Sequence, residues 1–213
     1  MSSLRARWWL AHLPCHESLV AFIVNTMLTQ PTLFAVPRGR STHASDVLWL
    51  SDDRDLGGNA WQAQWAKERG AVHVEQHDTA FPLRGDWLAQ LESAVREQPA
   101  CRLVAHGLGC ALAVAWATYS SLAHRVQSAL LLAPFSPDPA DPSGRYRSWR
   151  SLSVGRLPFP VLVLVDPTGR DAVTRQTAYA AAWGACVLWP LGPAEQREVM
   201  QSWWLEQRML TGG

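Results

Sequence analysis

From Asp46 onward, short apolar runs alternate with stretches of helical periodicity, and this alternation restricts the possible folds more than any other feature. Val47–Leu50, Val72–Val74, Cys101–Ala105, Val126–Ala133, Val161–Val165 and Cys186–Trp189 read as strands. Between them, Trp61 and Trp65 share one helix face at i, i+4 after a Gly57-Gly58 turn. Trp87, Leu91 and Val95 mark a helix that ends near Pro99, and an Ala-rich stretch with Trp116 marks another. Further helices are expected over Val173–Trp183 and from about Ala194 to Met209, and the stretch from Pro134 to Pro158 reads as a loop. Strands separated by helices predict a mostly parallel sheet, because a parallel neighbour requires a long crossover. The nearly continuous apolar run Val126–Ala133 is that of a strand buried on both faces. The expected architecture is a three-layer α/β/α sandwich.

The 213 residues suit one domain, assigned to residues 46–213 and preceded by an N-terminal extension, residues 1–45. In the extension Arg5 and Arg7 precede an apolar stretch, but His12, Pro14, His16 and Glu17 interrupt it. The clean run Leu19–Val24 falls short of the roughly 7–15 residues of a signal-peptide core and the ~20 of a membrane span. No membrane span is therefore expected, and Met27 is an alternative start. A net charge of +1 with no basic run argues against nucleic-acid binding. Cys15, Cys101, Cys110 and Cys186 form no C-x-x-C pair and no zinc spacing, so they read as buried thiols of a cytoplasmic protein. No metal or cofactor is expected. His73 and His77 are four apart on a strand and its turn, which does not bring them together as a helix would. The twelve tryptophans read chiefly as core aromatics.

Chemistry is expected where the strand Cys101–Ala105 runs into His106-Gly107-Leu108-Gly109 and then a helix. A strand, a sharp turn and a helix, with small residues two positions either side of the centre, is the pattern of a nucleophile elbow. Ala105 and Gly109 are the small residues, but the centre is Gly107, which has no side chain to attack a carbonyl.

Here the sequence resembles the small serine hydrolases typified by YdeN and retinoblastoma-binding protein 9, within the α/β-hydrolase superfamily. Trp61-Gln62-Ala63-Gln64-Trp65 is similar to that family's W-Q-x-x-W helix. Glu75-Gln76 with Asp86-Trp87, Ala105-His106-Gly107-Leu108-Gly109-Cys110, Leu157-Pro158-Phe159-Pro160 and Ala181-Ala182-Trp183-Gly184-Ala185 follow in the family's order. The resemblance covers about Asp46 to Gln196 and implies an α/β-hydrolase fold and an ester-hydrolysing ancestry. It also implies that the family serine falls on Gly107, the acid on Thr168, with Asp166 and Asp171 nearby, and the histidine on Gln196. Independently of any alignment, the last histidine is His124, so none follows the acid loop to act as base in the order Ser, acid, His.

For the oxyanion and pocket residues the expectations are Leu108, Asp52, Asp53 and His106. The backbone N–H of Leu108 would be one oxyanion donor. The other would come from the loop after the first strand, where relatives carry Pro-Gly and this chain has Ser51-Asp52-Asp53-Arg54-Asp55. Carboxylates there oppose a developing oxyanion. Asp52, Asp53 and Asp55 read as a solvated acidic loop, with a cation- or amine-binding rim as the sharper alternative. Cys110 reads as a packing residue, with a substitute nucleophile as the alternative, and His106 as a structural hydrogen-bonding residue, with a stray base as the alternative. Ser51 and Ser136 sit near strand ends, outside any elbow.

Three functional readings remain. The first is a pseudo-hydrolase that binds a small molecule or a protein partner in the former active-site pocket. The second is an active esterase-type hydrolase with a rearranged site built on Asp166 and water, or on Cys110. The third is a structural or interaction protein that uses its N-terminal extension and surface tryptophans.

Overall fold

The computed structural model describes residues 46–55, 61–138, 140–149, 155–190 and 192–210. Two compact units are distinguished: His43–Trp189, which holds the sheet, and a second to which Pro190–Gly213 belongs.

The first unit contains β1 (Val47–Leu50), α1 (Trp61–Glu68), β2 (Val72–His73), α2 (Arg84–Arg96), β3 (Cys101–His106) and α3 (Leu108–Tyr119). A 3₁₀ turn (Ser121–Arg125), β4 (Val126–Leu132), β5 (Val161–Leu164), α4 (Val173–Trp183) and β6 (Cys186–Leu188) follow. The strands form one six-stranded sheet in the order β2-β1-β3-β4-β5-β6, every neighbouring pair parallel. Each sequence-expected strand and helix is present, with ends shifted by at most a few residues. The Gly57-Gly58 turn lies outside the described residues.

Period-two alternation puts Leu48, Leu50, Leu103, Ala105, Ala129, Leu131, Val161 and Val163 on one face, where they join the core with Trp87, Leu91 and Val95 of α2 and most of α3. The alternate set, Val47, Trp49, Val104, Leu130, Leu132, Leu162 and Leu164, is buried as well. The sheet is therefore covered on both faces, which is why its central strands lack polar alternation. Two buried indoles donate their N–H groups to backbone carbonyls. Trp87 Nε1 donates to His77 O at 2.9 Å and Trp149 Nε1 to Pro82 O at 2.9 Å, and the two rings meet edge to face at 5.7 Å. Tryptophans 49, 65, 87, 116, 149, 183 and 203 are core residues, whereas Trp189 is 42% exposed.

In the second unit, α5 (Pro193–Leu210) buries Val199, Met200 and Trp203 on one face. Among the described residues no helix is long and apolar enough to cross a membrane. The cysteines depart from expectation at one position. Cys101 and Cys110 are free and buried, but Cys186 is disulfide-bonded. This corrects the expectation of four buried thiols at Cys186, because cysteine spacing does not report pairing across the chain.

Candidate functional site

The site is built where β3 ends and α3 begins. Gly107 adopts φ +52°, ψ −116°, a conformation that L side chains rarely take and that turns the chain within one residue. Its N–H donates to Leu132 O at 3.1 Å, and its carbonyl accepts from Cys110 N at 3.1 Å and Phe135 N at 3.3 Å. Gly109 is small for a different reason. A Cβ there would lie 2.4 Å from Leu50 O, so α3 can approach β1 this closely only with glycine. Both features of the elbow pattern are thus explained by backbone geometry.

The space above Gly107 is filled from the loop after β1. A Cβ at residue 107 would lie 2.4 Å from both Cγ and Oδ1 of Asp52 and 2.8 Å from Oδ2. Leu108 N–H, at the first turn of α3, donates to Asp52 Oδ1 at 2.7 Å. The Leu108 N–H, one of the two oxyanion donors expected from sequence, is therefore engaged by a carboxylate of the chain itself, at a helix N-terminus where negative charge is favoured.

This corrects the expectation of a solvated acidic loop. Asp52 is 6% exposed and Asp53 1%. Burial is tolerated because cations and donors converge on them. Arg170 Nη1 donates to Asp52 Oδ1 at 3.1 Å and to Asp53 Oδ1 at 2.6 Å. Tyr146 OH donates to Asp53 Oδ2 at 2.8 Å, and Arg145 Nη2 lies 2.7 Å from the same oxygen. Arg170 Nη2 donates to Tyr146 OH, and its guanidinium lies 3.4 Å from the centroid of the Phe135 ring. Three loops, those after β1, β4 and β5, meet in this network.

Asp52 and Asp53 titrate as a pair. Burial, then the hydrogen bond and charge of Asp53, push the Asp52 carboxyl up to about 6. Burial also opposes ionisation of Asp53, but the hydrogen bond with Asp52 and the charge of Arg170 outweigh it and hold that carboxyl below its ordinary value. Asp55 completes the loop, accepting from Asp52 N at 3.1 Å and lying 2.9 Å from His106 Nδ1. Burial disfavours the charged ring of His106, but Asp55 more than compensates and raises its pKa. His106 is thus tied to the loop after β1 through Asp55.

The other sequence candidates have partners of their own. Asp166 Oδ1 accepts from Thr168 N and Thr168 Oγ1, both at 2.7 Å, so these two residues close a turn on each other. Asp171 accepts from Ser136 N at 2.8 Å and from Arg175 at 3.2 Å. Cys110 is fully buried, its Sγ 3.4 Å from the carbonyl oxygens of Ala105 and Leu132, and burial pushes its thiol well above the ordinary value. Ser51 Oγ lies 3.1 Å from His73 Nε2. Gln196 is in α5 of the second unit, where its N–H donates to Gly192 O at 3.0 Å. No group of three or more potential ligands that could hold a metal is found among the described residues. Arg170, Arg145 and Tyr146 were not singled out from sequence. The one available signal was their place in loops that follow strand C-terminal ends, where α/β sheets build their sites.

Comparison with known proteins agrees with this architecture. The profile of the family described as "Serine hydrolase" matches residues 53–194. No curated protein matches the sequence. Among solved structures, a YdeN-like hydrolase candidate from Pectobacterium atrosepticum shares 18% identity with a TM-score of 0.57, over 75% of this chain and 91% of that one. A protein assigned to the alpha/beta hydrolase superfamily from Xanthomonas campestris shares 18% identity over 78% and 99% of the two chains, with a TM-score of 0.48. The ydeN gene product of B. subtilis shares 15% identity over 67% and 83%, also with a TM-score of 0.48. With an elbow-bearing parallel sheet of the α/β-hydrolase fold and a family match over most of its length, the chain belongs to the serine hydrolase family.

Proposed function

We propose that this member of the serine hydrolase family does not hydrolyse esters by Ser–acid–His chemistry, and that it acts by binding a small molecule or a protein partner around the former catalytic pocket. The observation that carries this reading is at the elbow centre. Gly107 keeps the strained elbow backbone but has no nucleophile, and the Asp52 carboxylate fills the space where one would begin. A hydroxyl needs both a position and a general base. Residue 107 has no side chain to supply oxygen or sulfur, and the family resemblance implies that the base position falls on Gln196.

The rearranged-hydrolase alternatives gain little support from the geometry. Cys110 is buried with its thiol pushed away from the thiolate, and Asp166 is committed to Thr168. An interaction through surface tryptophans rests, among the described residues, on Trp189. A cytoplasmic location keeps the free thiols of Cys101 and Cys110 in its favour, while the Cys186 disulfide weighs against it.

The test is turnover of short p-nitrophenyl esters by the natural protein against a heat-inactivated control. The expected result is no turnover above the control. Steady turnover that survives repeated purification overturns the reading.

A further inference from the structure

We propose that Asp52 is a built-in occupant of the elbow's anion position, closing it to outside carboxylates and acyl groups, so that any ligand of the natural protein is held without reaching the elbow. The proposal rests on the reading of the site as non-catalytic, and it assigns a cause of closure that is separate from the missing serine.

The geometry has three parts. Asp52 Oδ1 takes the Leu108 N–H at 2.7 Å, the donor that a bound oxyanion would use. Arg170, arriving from the loop after β5, donates to the same oxygen at 3.1 Å and supplies the positive charge that a free anion would otherwise attract. All three carboxyl atoms lie within 2.8 Å of where a side chain on residue 107 would start, so the occupant and a nucleophile exclude one another. Residues 52, 107 and 170 therefore form one unit in which the carboxylate substitutes for both a nucleophile and its product anion.

The surroundings favour this occupant over a solvent ion. Asp53 and Asp55 belong to its own loop, His106 and Cys110 flank it from the elbow, and Arg145 and Tyr146 reach Asp53 from the loop after β4. Asp166 adds a further negative charge near His106. An external carboxylate would have to displace a tethered one that is already buried and ion-paired, at a large disadvantage in effective concentration.

The proposal is tested by refilling the position. Asp52→Gly removes the carboxylate and leaves Leu108 N–H and Arg170 in place. Sodium formate at pH 7 should raise the Tm of that variant saturably by several degrees, while acetamide and sodium chloride do not. Formate should leave the natural protein unchanged, and Asp52→Gly combined with Arg170→Ala should lose the response. An equal response of the natural protein and the variant, or none in the folded variant, overturns the proposal.

A second readout needs no refolded variant. In the natural protein the Leu108 amide resonance should shift with pH around a midpoint of about 6, as Asp52 ionises. A Leu108 amide that stays flat while the Asp52 carboxyl carbon itself titrates also overturns the proposal. Ester turnover by the natural protein would sink the non-catalytic reading, whereas these measurements report on occupancy alone.

Discussion

On residue 52, burial and neighbouring charge act on one carboxyl in opposite directions, and burial prevails. The folded-state pKa is about 6 against an ordinary 3.8, so the native state holds this proton more tightly than the unfolded chain does. The contribution of Asp52 to stability is therefore greatest below pH 3.8 and is lost as pH rises from about 4 through about 6. Asp53 acts in the opposite sense. Its lowered pKa gives stability above 3.8 that is lost as pH falls through its folded value. An Asp52→Asn change keeps an acceptor for Leu108 N–H and a donor toward Asp53, as protonated Asp52 would. Its stability relative to the natural protein should rise between pH 5 and pH 8 by about 1.4 kcal/mol, from the roughly one pKa unit of the shift that lies above pH 5. Urea unfolding at the two pH values checks this, and a pH-independent difference would contradict the assignment. Part of the residue-level chemistry was legible beforehand. Gly107 at an elbow centre and the absence of a histidine after His124 can be read from the chain alone. The burial of Asp52 and Asp53 was not, because acidic loop residues are usually solvated and their partners lie elsewhere in the sequence.

Among the elements, β3 and α3 are held against β1 by the absence of one methyl group. Gly109→Ala would place a Cβ 2.4 Å from Leu50 O, a backbone atom that cannot rotate away. The change should destabilise the fold by about 1–3 kcal/mol or more, the cost of overpacking, and thermal unfolding would measure it. On α2, Leu91 is fully buried between Trp87 and Val95 on the apolar face. Leu91→Ala should cost about 2–5 kcal/mol, read as a lower denaturation midpoint with an unchanged m-value. These elements were the most legible part of the chain. Trp87, Leu91 and Val95 repeat at helical spacing, and all three are buried. The run over residues 126–133 gave a strand buried on both faces at all but Gln127, which is exposed.

At the scale of the whole first unit, Arg170 ties together loops that are far apart in sequence. It bridges Asp52 and Asp53, 118 and 117 residues away, and meets Tyr146 from the loop after β4. Removing it would leave two buried carboxyls without their shared cation. Arg170→Ala should lower stability by about 3–5 kcal/mol at pH 7, with increased proteolysis in the loops after β1 and β4. An unchanged Tm would show that the network contributes nothing net. The sequence by itself determined the alternation of strands and helices, the parallel sheet and the position of the elbow, because apolar periodicity and small-residue spacing are local properties of the chain. Only the tertiary structure decided what fills the elbow. That depends on loops after three different strands meeting at the C-terminal edge of the sheet, and on burial and charge balancing there, which no local pattern records.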